Sequence, residues 1–96
     1  MSDPRPERQI TVSDNAEQSR YEVRVDGVLA GFAEYRDRGG RRILVHTEVD
    51  RAFGGQGIGN RLASGLLDDI KDRGLRAAVR CPFIRAFIAR HPEYAV

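Results

Sequence analysis

Val49-Asp50-Arg51-Ala52-Phe53-Gly54-Gly55-Gln56-Gly57-Ile58-Gly59-Asn60-Arg61-Leu62 runs from the end of a strand-like segment, through a glycine-rich turn, into a helical pattern. Glycines lack Cβ atoms, so such a turn adopts dihedrals closed to other residues and lets a ligand approach its backbone. The helix behind it opens with amide N–H groups that have no intrahelical partner and with the positive end of a helix dipole. Strand, glycine turn and helix in that order form an architecture for phosphate, and a pyrophosphate is its natural guest.

Three glycine-loop chemistries compete for this stretch. A P-loop requires Gly-Lys followed by Ser or Thr, and here Gly59 is followed by Asn60-Arg61, which excludes it. A dinucleotide fingerprint spaces its glycines G-x-G-x-x-G and places an acid at the end of the next strand. Here the position three after Gly57 is Asn60, and Ala77-Ala78-Val79-Arg80 holds no acid, so the match is weak. In the third case Gly54-Gly55-Gln56-Gly57-Ile58-Gly59 resembles the acyl-CoA signature of the GNAT superfamily of N-acetyltransferases: Arg or Gln, two variable residues, Gly, one variable residue, then Gly or Ala. Gly57 and Gly59 fall on the small positions and Ile58 between them, while the Arg/Gln position falls on Gly54. The resemblance implies coenzyme A as ligand, gripped mainly by backbone amides from Phe53 to Gly59, with Val49 and Arg61 at the borders.

Composition bounds the rest. Ninety-six residues leave room for one domain, 9–96, behind a frayed tail, 1–8, in which Pro4 and Pro6 break any periodicity. Apolar residues make up 41% and charged residues 31%, and no apolar run reaches the length of a membrane span. A cytoplasmic location is expected, and the single cysteine, Cys81, excludes an internal disulfide and a multi-cysteine metal site. Sixteen basic residues face 14 acidic ones, for a net charge of +2, and the basic residues are scattered along the chain. That pattern argues against nucleic acid as a partner.

Periodicity predicts the elements. Ile10-Thr11-Val12 reads as a short strand and Ser13 to Ser19 as a polar connection; Arg20 to Val25 alternates as a half-buried strand. Asp26-Gly27 signals a hairpin, Val28 to Tyr35 the return strand with Gly31 as a bulge, Arg36 to Gly40 a polar turn, and Arg42 to Val49 another strand. Ile58, Leu62, Leu66 and Ile70, with Ala63 and Leu67, form one apolar helical stripe that Gly74 stops. Leu75 to Arg80 is a short strand, and Pro82 opens a second helix that buries Phe83, Ile84, Phe87 and Ile88 and ends at His91-Pro92. The fold class is α+β: an antiparallel meander, then helix, strand, helix. This order is similar to the central and C-terminal part of the GNAT fold, reduced by the pair of helices that usually follows the first strand. The resemblance covers Tyr21 to Tyr94 and is strongest where His46-Thr47-Glu48-Val49, the glycine loop, and Cys81-Pro82-Phe83 through His91-Pro92-Glu93-Tyr94 occur together. It implies a small acetyl-CoA-dependent N-acetyltransferase.

Acetyl transfer to an amine needs a base. In a regular strand Ile43, Val45, Thr47 and Val49 face one way and Leu44, His46 and Glu48 the other. His46 and Glu48 therefore share a face, and since this strand borders the acetyl group in the GNAT arrangement, the pair is the expected base. Cys81, just ahead of Pro82 at a helix N-terminus, is a second candidate, either as an acetyl relay or as a small buried hydrophobe. Tyr94 is a candidate acid, and Arg51 and Arg61 candidate phosphate partners. The acceptor amine is unidentified, and the chain is expected as a monomer or homodimer. The alternative function is a non-catalytic acyl-CoA-binding or protein-interaction module on the same fold, which the glycine at position 54 favours.

Overall fold

Asp26 and Gly27 take φ of 51° and 83°, the pair of left-handed residues that a two-residue hairpin requires. They join β2 (Arg20–Val25) to β3 (Val28–Arg38) in a computed structural model that describes residues 8–95. β1 (Ile10–Asn15) pairs with β2 and β4 (Arg41–Val49) with β3, all antiparallel. Helix α1 (Ile58–Asp72) then carries the chain over to β5 (Arg76–Val79), parallel to β4, and α2 (Pro82–Arg90) follows. The sheet order is β1-β2-β3-β4-β5. The expected tail falls outside the described residues except for Arg8.

Two polar stretches read as connections are strand. β1 runs on through Asn15, leaving only a 3-10 turn at Ala16–Gln18, and β3 runs on through Arg38, so that the turn shrinks to Gly39-Gly40 at φ 59° and 78°. The reason is a buried guanidinium. Arg42, 6% exposed, donates to both carboxylate oxygens of Asp37 (2.8 and 2.9 Å), to Asp14 Oδ2 (3.1 Å) and to the Tyr21 hydroxyl (2.8 Å). Tyr21 donates onward to Asp69 on α1 (2.6 Å), Tyr35 donates to Asp14 (2.6 Å), and the Arg42 guanidinium lies 3.9 Å from the Tyr35 ring centroid. The hydrogen bonds to Asp37 push Arg42 up and, reciprocally, hold the Asp37 carboxyl below its ordinary range. Burial, reinforced by the bond to Asp14, raises the Tyr35 phenol to about 12. Charge satisfied this completely can sit in a core, and it ties four strands to the C-terminal end of α1.

Above that lock the core is apolar. α1 lays Ile58, Leu62, Ala63, Leu66, Leu67 and Ile70 on Val23, Val25, Ala33 and Leu44, and α2 adds Ile84 and Phe87 to the same cluster. Each large side chain so buried contributes about 1.5–3 kcal/mol. Both helices cover one face of the sheet. The other face, which no helix among the described residues covers, carries Arg20, Glu22, Phe32, Glu34, His46 and Glu48.

β4 departs from simple alternation. Tyr35 pairs with Leu44 but Glu34 with His46, so Val45 is an extra residue, and the strand turns over at that bulge. Leu44 opposes buried Tyr35, and Thr47 opposes buried Ala33, which puts both on the helix side. The expected grouping of Leu44 with His46 and Glu48 is therefore corrected, as is that of Thr47 and Val49 with Ile43 and Val45. His46 and Glu48 still share a face, the open one. A second register shift makes Ala30 the extra residue of β3; Gly31 instead lets β4 come close, since a Cβ there would lie 2.6 Å from the Glu48 carbonyl oxygen.

Candidate functional site

The glycine loop leaves β4 at Val49. Asp50 N–H bonds the Ala30 carbonyl (2.7 Å), and the Asp50 carboxylate caps a 3-10 turn, Arg51–Phe53, by accepting from Ala52 N–H (2.8 Å). Gly55 and Gly57 then both take φ of 73°, and a Cβ on either would meet nothing within 4 Å. Gly57 is the N-cap of α1 and has no side chain with which to cap, so no capping oxygen takes up the first-turn amides. The loop encloses a cleft of about 270 Å³ lined by Val49, Phe53, Gly54, Gly55, Gly57, Ile58, Gly59 and Phe83, among others. Gly59 has a packing role: a Cβ there would lie 2.7 Å from the tip of the Phe83 ring. The donor set, amides at a positive helix end without a competing carboxylate, fits a pyrophosphate.

Beside this cradle the sheet opens. β4 and β5 pair only from Arg41 with Arg76 to Leu44 with Val79, and the N–H groups of Arg80 and Cys81 both converge on the Leu44 carbonyl (2.9 and 3.0 Å). From Val45 to Val49 the β5 side of β4 has no strand partner among the described residues. Thr47 Oγ1 and Cys81 Sγ meet at 3.2 Å across the opening. Cys81 is the N-cap of α2 and only 2% exposed.

On the open side of β4, His46 Nε2 lies 3.1 Å from Glu48 Oε1, with the two side chains 53% and 60% exposed. The pair is formed and open to solvent. Glu48 also borders a cleft of about 400 Å³ with Leu29, Ala30, Gly31, Phe32, Val49 and Asp50. Tyr94 lies elsewhere, its ring 5.3 Å from that of Phe87, and His91 stacks on the same ring at 4.7 Å. Arg61 is exposed on the first turn of α1 and Arg51 opens the 3-10 turn ahead of the glycines; neither lines the 270 Å³ cleft.

Arg8 and an arginine cluster escape a reading of the linear chain. Arg8 hydrogen-bonds Gln56 and lies 5.9 Å from the Phe53 ring centroid, bringing a guanidinium to the loop whose Arg/Gln position is glycine. The arginines scattered along the chain gather in space. Arg36 pairs with Ile43, Arg38 with Arg41, and Arg41 with Arg76, all on the face opposite Arg42, and Arg80 continues the row from β5. All five are exposed, and among the described residues none is in an ion pair. Adjacency of three strands collects residues that lie up to 44 positions apart in the chain.

A family model described as GCN5-related N-acetyl-transferase matches residues 20–96. A protein from Bos taurus named Protein NATD1 is 34% identical over 85 residues, covering 86% of this chain and 75% of its own length; its Homo sapiens counterpart is 31% identical over the same span. Among solved structures, a ribosomal-protein-alanine N-acetyltransferase from Brucella melitensis biovar Abortus 2308 superposes with a TM-score of 0.57 at 22% identity. That likeness covers 80% of this chain and 62% of the other, and it is one of fold. No described helix is long and apolar enough to cross a membrane.

Proposed function

The chain belongs to the GCN5-related N-acetyltransferase family, and from that premise we propose that it transfers an acetyl group from acetyl-CoA to an amine. The observation that carries the reading is a coincidence along one strand: β4 parts from β5 at Leu44, carries a carboxylate–imidazole pair on its open side, and ends in an anion cradle. The amides of Gly55 to Gly59 hold the pyrophosphate, with Arg8 and Arg61 beside them for the remaining charge; those of Phe53 and Gly54, expected to join them, are spent on the Asp50 and Arg51 carbonyls of the 3-10 turn. Acetyl-CoA supplies an activated thioester. Glu48, through His46 or a water, accepts the proton that the amine loses. The amine nitrogen bonds to the acetyl carbon as the carbon–sulfur bond breaks, and the electron pair departs with sulfur. N–H groups on the β4 edge past Leu44, where no described strand pairs, stand ready for the charge developing on the acetyl oxygen. Cys81, buried against Thr47, serves as a wall of the opening, so transfer is direct.

Calorimetric titration with acetyl-CoA tests the cradle. Wild type binds, and Gly57→Glu, which sets a carboxylate among the phosphate-facing amides, loses at least about tenfold in affinity. With an accepted amine, Glu48→Gln lowers kcat by about 100-fold while the KM for acetyl-CoA is unchanged. Absence of acetyl-CoA binding by folded wild type refutes the reading. Tight binding without turnover across amines and peptides would instead establish the acyl-CoA-binding module that Gly54 favours.

A further inference from the structure

The open face of the sheet is electrically polarised along β4. At its C-terminal end lie Glu48, Asp50 and, opposite His46, Glu34; the 400 Å³ cleft there has apolar walls in Leu29 and Phe32 and carboxylates at its rim. Such a cleft takes the methylenes of a lysine and receives its ammonium. Glu22, also on this face, is already neutralised by Arg20 and Arg24 (2.8 and 3.1 Å). At the N-terminal end Arg36, Arg38 and Arg80 line a groove with an apolar floor of Ile43 and Val45, which Glu34 borders on the side of the acidic end, and Arg41 and Arg76 extend it to the sheet edge. Asp37 also borders the groove, but both its carboxylate oxygens accept from Arg42, which neutralises it. Five guanidinium groups on and just beyond neighbouring strands, none in an ion pair among the described residues, match an anion with several carboxylates.

We propose that the acetyl acceptor is an extended acidic polypeptide, with its lysine ε-amine presented to Glu48 and His46 and its carboxylates seated on the arginine groove. The assignment rests on the acetyl transfer argued above and names its substrate class. At about 3.3 Å per residue, the stretch from Glu48 back to Arg41 places the acidic residues about three to six positions from the lysine. Nucleic acid fits less well, because the groove offers no exposed aromatic ring on which a base can stack: Tyr35 is 4% exposed beneath Arg42, and Phe32 lies beneath Arg20.

The test uses the full chain and fluorescein-labelled peptides carrying one lysine, with either glutamates or glutamines at those positions on either side. Anisotropy reads binding in the presence of CoA, and acetylation is read separately by mass. The glutamate peptide binds about five- to tenfold more tightly and is acetylated with a correspondingly higher kcat/KM. The charge-reversed Arg36→Glu/Arg38→Glu protein, and independently Arg80→Glu, lose that preference while acetyl-CoA affinity stays at the wild-type value. Equal binding of the two peptides, retention of the preference by both variants, or tighter binding of oligouridine or phosphatidylserine vesicles would overturn the proposal. Acetylation without acidic preference refutes this inference and leaves acetyl transfer standing. Selective binding without acetylation refutes the acceptor role and leaves only a docking surface, while acetyl transfer to other amines is judged by its own turnover test.

Discussion

Gly31 offers a direct test of how the site is held. It pairs with Val49, and a Cβ at its position would lie 2.6 Å from the Glu48 carbonyl oxygen and 3.2 Å from Val49 Cα. Both opposing atoms are backbone, so no side chain can rotate away. Ordinary contact begins at 3.4 Å, so Gly31→Ala must part β3 and β4 by about 0.8 Å beside Glu48. Overpacking of this kind costs about 1–3 kcal/mol. A chain of this size holds roughly 5–15 kcal/mol, so the variant folds, with a Tm lowered by about 5–20 °C. Displacing a proton acceptor by nearly 1 Å costs up to about 100-fold in rate. The glycine loop remains anchored by the Asp50 cap on Ala52, so kcat falls far more than acetyl-CoA affinity. Thermal unfolding, calorimetry with acetyl-CoA and steady-state turnover supply the three readouts. Ile70→Val, at the far end of α1, is the control that loses about 0.5–1.5 kcal/mol without moving Glu48. Wild-type Tm and kcat in Gly31→Ala would show that the close approach of β3 and β4 does not position the pair.

Other consequences follow from the charged clusters. Arg42→Ala removes the buried donor shared by Asp37, Asp14 and the Tyr21 hydroxyl; Asp14 keeps Arg73 and the Tyr35 hydroxyl, so the cost falls at the lower end for a broken buried pair, about 3 kcal/mol, read from urea unfolding, and a loss under about 1 kcal/mol would mean the lock is incidental. Burial alone would push the Glu22 carboxyl up, but hydrogen bonds from Arg20, Asn15 and Arg24 outweigh it and hold the group below its ordinary 4.5. Its stabilising contribution is therefore complete above pH 4.5 and lost as pH falls through the lower folded value, so Glu22→Gln flattens the acid limb of a stability–pH profile. An unchanged acid limb in that variant would refute the linkage.

Local physics made much of this protein legible in its sequence. Period-two alternation from Arg20 to Val25, the left-handed Asp26-Gly27 turn, the apolar stripe from Ile58 to Ile70 and Pro82 at the start of α2 each depend on neighbours within a few residues. The pairing of His46 with Glu48 was readable for the same reason, because two residues along a strand share a face. What the tertiary structure alone decided involves partners far apart in the chain. The bulge at Val45 is a mismatch between two strands, and it moved Leu44 to the side of Thr47. Arg36 to Arg38 looked like a polar turn, yet became strand because Arg42 holds Asp37 while binding Tyr21 and Asp14. Arg8 met the glycine loop, and five arginines from three strands met one another, only when the sheet formed. Periodicity encodes which side of its own element a residue faces; charge clusters and close backbone approaches are set by which elements become neighbours, and that is settled by packing the whole chain.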